Sequence, residues 1–204
     1  GLEDHFVVVN WEQPGAGKSY YATDFTDLTV ARYLADAHAL AEALRARFHQ
    51  DKLYVLGESW GSMLGIKLVQ AFPDLFHAFI SSGQMVNTVE NDVMGYELAR
   101  RAAEEQGDTR TAATIRGNGP PPYFGDGAFM KYATYLTFLN SYMAARAPGE
   151  GHGYNQLVGV FTGSEYGLLD KVNWVRGLID GFSAVYPQLV DLDFTTQPAR
   201  LQVP

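Results

Sequence analysis

Gly57-Glu58-Ser59-Trp60-Gly61 follows the apolar run Leu53-Tyr54-Val55-Leu56 and precedes a helix-like stretch from Ser62 to Phe72. The order predicts a strand ending near Leu56, a sharp G-x-S-x-G turn, and a helix beginning near Trp60. At such a turn the serine is held in a strained backbone conformation, and the flanking glycines leave room for neighbouring backbone. Ser59 Oγ is then aimed out of the sheet edge, and Ser59 stands at a helix N-terminus. There, free N–H groups and the positive end of the helix dipole favour a developing negative charge. Ser59 is therefore the candidate nucleophile, and the Trp60 backbone N–H the candidate half of an oxyanion hole. A glycine-rich turn without chemistry is the alternative. The strand before and the helix after are the context that favours the catalytic reading.

Working outward, the chain repeats this pattern. Phe6-Val7-Val8-Val9-Asn10 reads as a strand buried on both faces of a parallel sheet, and His77-Ala78-Phe79-Ile80-Ser81-Ser82-Gly83 as a third parallel strand. Between the first two, Thr26 to Gln50 reads as a helix, with Leu34, Ala37, Ala41, Leu44 and Phe48 on one face and Thr26 or Asp27 capping its start. Pro73 stops the helix after the turn. The βαβαβ rhythm predicts an α/β fold with a mostly parallel sheet.

Past Asn87 the rhythm changes to helices without strands, so residues 88–187 are expected to form a helical cap inserted over the sheet. Residues 1–87 then supply the first part of the core, and residues 188–204 return to it. Val89 to Gln106 is amphipathic and ends at Gly107, a C-cap signal. Phe129, Tyr132, Tyr135, Phe138 and Tyr142 recur at helical spacing, either as cap core or as an apolar wall over Ser59. Glu165 to Tyr186 is the final helical stretch.

Composition narrows the classes of function. The 204 residues, 47% of them hydrophobic, suffice for a sizeable core. Fifteen basic against twenty-three acidic side chains give a net charge of -8 with no basic cluster, which argues against nucleic acid as a partner. With no cysteine there is no disulfide, thiolate metal site or cysteine nucleophile. No apolar run reaches the length of a membrane span, so a cytoplasmic protein with no membrane partner is expected. Gly17-Lys18-Ser19 looks like the end of a phosphate-binding loop. However, G-x-x-x-x-G-K-[ST] requires Gly where this chain has Glu12, whose carboxylate would repel phosphate.

With these segments placed, the sequence resembles the α/β-hydrolase superfamily and, within it, the proline iminopeptidase group. Asn10 to Ser19 is similar to that group's D-Q-R-G-x-G-x-S loop, and Gly57-Glu58-Ser59-Trp60-Gly61-Ser62 to its G-[GE]-S-W-G-S turn, while residues 88–187 occupy the place of its helical cap. Glu12 and Pro14 depart from the usual Asp and Arg of the first loop. The resemblance implies an α/β-hydrolase-type sheet that is incomplete at both ends. An H-G-G-P-G-like loop should precede Phe6, and the family's acid and histidine should follow the strand that starts at Leu201-Gln202-Val203-Pro204. Ser59 is then the one triad member present. A triad within the chain would need Asp126 and His152, both in glycine-rich loops of the presumed cap.

The activity implied is that of a serine hydrolase working through an acyl-enzyme, an aminopeptidase that releases N-terminal proline or a similar residue from a small peptide or small-molecule substrate. An esterase or amidase of the same fold, or a non-catalytic binding protein if the 204 residues are the whole chain, stands as the alternative. No metal or organic cofactor is expected, and no histidine pair has H-E-x-x-H spacing. Recognition of a free N-terminal amine calls for a carboxylate, and Glu165, in Thr162-Gly163-Ser164-Glu165-Tyr166, is the candidate substrate-binding residue. Its other reading is stabilisation of the N-terminus of the helix that follows.

Overall fold

The computed structural model describes residues 1–146, 156–196 and 200–204. Strand β1 (Leu53–Glu58) pairs in parallel with β2 (Phe76–Ser82), in the register Tyr54↔Ala78, Leu56↔Ile80 and Glu58↔Ser82. Helices α1 (Val30–Phe48) and α2 (Trp60–Ala71) cover one face of this pair. The alternation of a strand decides which side chains meet them. Leu53, Val55 and Phe79 pack with Ala37 and Ala41 of α1 and Leu68 and Val69 of α2, whereas Tyr54, Leu56 and Ile80 point to the other face and are exposed. Leu201 and Val203 join the covered cluster, and Phe79 N–H donates to Pro204 O at 3.0 Å, so residues 201–204 run beside β2.

Phe6 to Asn10, expected as a strand, forms none. Phe6 is 51% and Val7 71% exposed, and the Phe6 ring meets Tyr54 edge-on, with centroids 5.6 Å apart. β-Branched residues favour a ladder chiefly through burial and cross-strand packing, and here both are missing. The first helix also begins later than expected. Asp24 caps a 3-10 turn at Phe25–Asp27, and α1 starts after Thr29, whose hydroxyl accepts the Arg32 N–H at 3.0 Å. Phe48, placed on the buried stripe, is exposed in the last turn.

Beyond β2 come α3 (Thr88–Glu105), α4 (Thr109–Asn118), α5 (Ala128–Ala144), α6 (Gln156–Thr162) and α7 (Leu168–Leu189). Asn87 caps α3, and Gly107 with φ 72° closes it, the N–H groups of Gly107 and Asp108 returning to Glu104 O and Ala103 O. Tyr96 and Ala99 of α3, Ile115 of α4, and Tyr135 and Leu139 of α5 form one core, with Tyr132 and Phe138 packed against it. The middle of the aromatic stripe is thus helical core. A separate cluster fixes α7 on the α/β layer, where Val185 and Leu189 meet Leu28, Tyr33 and Leu64. Among the described residues no helix is long and apolar enough to cross a membrane.

Candidate active site

Ser59 occupies the single residue between β1 and α2, with φ 52° and ψ -118°. Positive φ is costly for a residue with a side chain, about 1–3 kcal/mol, and persists where the surroundings over-determine it. Three hydrogen bonds do so here. Ser59 N–H donates to Ser82 O at 3.0 Å, tying the turn to the end of β2. Ser62 N–H and Ser62 Oγ both donate to Ser59 O, at 2.9 and 2.5 Å. The turn also needs Gly57, since a methyl there would lie 2.3 Å from Gly61 O.

The Ser59 side chain is exposed, with Met85 Sδ 4.0 Å from its hydroxyl. Met85 is held in turn by its N–H, which donates to the buried Ser62 Oγ at 3.1 Å. Ser62 therefore fixes both the turn and the residue facing Ser59. In the sequence Ser62 is marked only by its motif, although a serine among the buried residues of a helix must find a hydrogen-bond partner. Trp60 opens α2, where a first-turn N–H has no intrahelical acceptor. Its indole Nε1–H donates to Gln13 Oε1 at 3.2 Å, and its ring meets Tyr33 at 5.9 Å.

Glu12, next to Gln13, explains the phosphate-loop likeness. Its carboxylate accepts the Lys18 backbone N–H at 2.8 Å and lies so close over Gly17 that a methyl there would meet Oε1 at 1.9 Å. A carboxylate from the chain itself takes up the N–H that an anion would use. The Gly17–Ala22 stretch continues as a 3-10 turn. Glu12 also accepts the Tyr166 hydroxyl at 2.6 Å, a bond that pushes the Tyr166 pKa up to about 12.

Glu165 is exposed in the link between α6 and α7, beside this anchored Tyr166. It precedes α7 by three residues, and the end of that helix is served by Asp170, whose Oδ2 accepts the Gly167 N–H at 3.0 Å. Asp126 is exposed in a loop before α5, and His152 lies outside the described residues. The other histidines are engaged elsewhere or distant in the chain. His38 stacks on Phe72 at 3.8 Å, His77 leans on Tyr54 at 5.1 Å, and His49 ends α1 in the left-handed conformation. Among the described residues no group of three or more His, Cys, Asp or Glu is placed to hold a metal ion.

A family model described as serine aminopeptidase, S33, matches residues 3–116, more than half of the chain. The chain belongs to this S33 family. It is an α/β-hydrolase-superfamily member, and its parallel pair with helices is a part of that fold. The match takes in β1, the Ser59 turn, α2, β2 and α3. The chain is also similar to a protein of Bacillus subtilis (strain 168) named probable aminopeptidase YbaC, 27% identical over 208 residues. That likeness covers 100% of this chain and 63% of the relative, so the chain spans less than two thirds of the relative's length. No solved structure matches.

Proposed function

We propose that this S33 family member is a serine aminopeptidase of the proline iminopeptidase kind, releasing proline or a similar small residue from the N-terminus of a peptide. The observation that carries the reading is the conformation of Ser59, at φ 52° on the one-residue turn between β1 and α2. In this reading Ser59 Oγ attacks the scissile carbonyl as a histidine from outside the described residues takes its proton. The bond to the leaving amine breaks as that proton is returned, and water then releases the acyl group from Ser59. The Trp60 N–H donates to the oxyanion, and Ser62 holds the turn in place for it. The helices from residue 88 to 187 act as a cap, and Glu165 pairs with the free ammonium of the substrate. The absence of an ion-pair partner for Glu165 among the described residues supports that role.

The test is run on the natural protein. A fluorophosphonate probe should label Ser59, and Ser59→Ala should lose both the label and the release of aminomethylcoumarin from prolyl and alanyl amides, with kcat falling by at least about a thousandfold. Hydrolysis of esters without any aminoacyl amide would replace the reading by an esterase. An unlabelled Ser59 with no turnover of either class would replace it by a binding protein.

A further inference from the structure

A concavity lies between the loop that leads into α5 and the C-terminal half of α7. Its volume is about 380 Å³, within the range of small-molecule sites. Its walls are rings and aliphatic side chains, chiefly Phe124, Phe129, Phe182, Tyr186, Met130 and Ile179. The rings are set against one another. Phe182 stacks on Tyr186 with centroids 4.4 Å apart, Phe129 meets Phe182 edge-on at 5.7 Å, and Phe124 tilts towards Tyr186 at 6.3 Å.

The polar groups of this cavity select a sign of charge. Its hydroxyls already donate within the protein: Tyr186 to Asp92 at 2.7 Å, Tyr123 to Gly119 O at 2.6 Å, and Ser183 to Ile179 O at 2.9 Å. The remaining charged group in the lining is Asp126, which is exposed, and among the described residues it has no ion pair and no Lys or Arg lines the space. The buried Asp92 stands behind Tyr186 and accepts its hydroxyl, and burial favours its neutral form, so Asp126 is the carboxylate that faces the space. Ring faces and the Asp126 carboxylate together attract a cation. Tyr123 already has a cation, for Lys131 Nζ lies over its ring, 5.9 Å from its centroid, so an incoming ammonium is left the other rings.

We propose that this cavity binds a primary ammonium ion carrying an apolar, preferably aromatic, substituent, with the ammonium at Asp126 and the substituent among Phe124, Phe182 and Tyr186. The assignment does not require Ser59 to be catalytic, and binding alone tests it. Phenethylammonium, 3-phenylpropionate and neutral 3-phenyl-1-propanol are titrated into the protein by calorimetry and by ligand-observed NMR. Phenethylammonium should bind and the carboxylate should not. Asp126→Asn should weaken the ammonium about fivefold and Phe124→Ala about threefold, without altering the neutral alcohol in the first case. Both positions are exposed, so unchanged urea midpoints are expected to show that the fold is kept. A carboxylate that binds as well as the amine, or an amine that binds Asp126→Asn as well as the unaltered protein, overturns the proposal. Phenylalanyl-alanine amide separates two sources of the same group. Tighter binding than phenethylammonium assigns the site to peptide amino termini, weaker binding to free amines, and either order supports the ammonium assignment.

Discussion

Helix α7 crosses the loop at Gly15 with almost no clearance, and the crossing can be measured by one methyl group. A Cβ at Gly177 would lie 2.5 Å from Gly15 O and 2.9 Å from Ala16 Cα. Both are backbone atoms, so no rotamer change relieves the overlap. Sliding is opposed as well, because the Tyr20 hydroxyl donates to Asp180 at 2.5 Å and the Arg176 guanidinium lies over the Tyr20 ring, 4.4 Å from its centroid. Gly181, one turn further along, has nothing within 4 Å of the same position and is the internal control. Gly181→Ala should stabilise the protein by about 0.8–1 kcal/mol, the helix propensity difference. Gly177→Ala gains the same amount and loses about 1–3 kcal/mol to overpacking, so it should be less stable than Gly181→Ala by that second figure. Urea unfolding followed by far-UV circular dichroism reads the two midpoints at constant m. Because Val185 and Leu189 pack on Leu64 and Leu28 in a cluster that includes Trp60, Gly177→Ala should also disturb the tryptophan fluorescence. Equal midpoints for the two variants would refute the crossing as described.

Ser59→Gly should be more stable than Ser59→Ala by about 1 kcal/mol, since alanine keeps a Cβ at φ 52° and glycine does not; equal thermal midpoints would remove the strain. Burial raises the pKa of Asp92, so its contribution to stability is fully present below the unfolded value of about 3.9 and is lost as pH rises through the raised folded value. Asp92→Asn keeps an acceptor for Tyr186 and has no proton to lose, so its stability relative to the unaltered protein should climb from pH 4 towards 7, and parallel urea midpoints across that range would contradict the argument. If the proposed function holds, Glu165→Gln in the natural protein should raise KM for substrates with a free amine by one to two orders of magnitude, about 1.4–3 kcal/mol, while leaving a neutral ester of similar shape unchanged; equal losses on both would make Glu165 structural.

What could be read from the sequence follows the range of the interactions concerned. The Ser59 turn is local: an apolar run, two glycines and a helical stretch specify it, and it lies where they place it. Helix α3 is local too, with Asn87 and Gly107 marking both ends. Phe6 to Asn10 misled because four β-branched or aromatic residues announce a strand, yet a ladder depends on neighbours that no local pattern reports. The same limit hid Asp92. Its partner Tyr186 is 94 residues away, and the packing of α5 on α3, with Tyr186 reaching in from α7, buries that carboxyl among tyrosines.

Glu12 shows how one residue can be read correctly for one question and incompletely for another. As a carboxylate in a would-be phosphate loop it argued against an anion ligand, and the structure has it accepting the Lys18 N–H in that role. Its second bond, to Tyr166, could not be inferred across 154 residues. That bond matters because of the next residue. Gln13 holds the Trp60 indole, and Trp60 begins the helix behind Ser59. Two adjacent side chains therefore grip the segment before α7 with one hand and the Ser59 turn with the other, and consecutive Cα atoms are fixed at about 3.8 Å. A displacement of Tyr166 large enough to break its bond must either leave a carboxylate without its hydroxyl donor or drag the Gln13 amide from the indole. The helical segment and the turn are thus joined by hydrogen bonds through Glu12-Gln13, besides the apolar contact that α7 makes on Leu64.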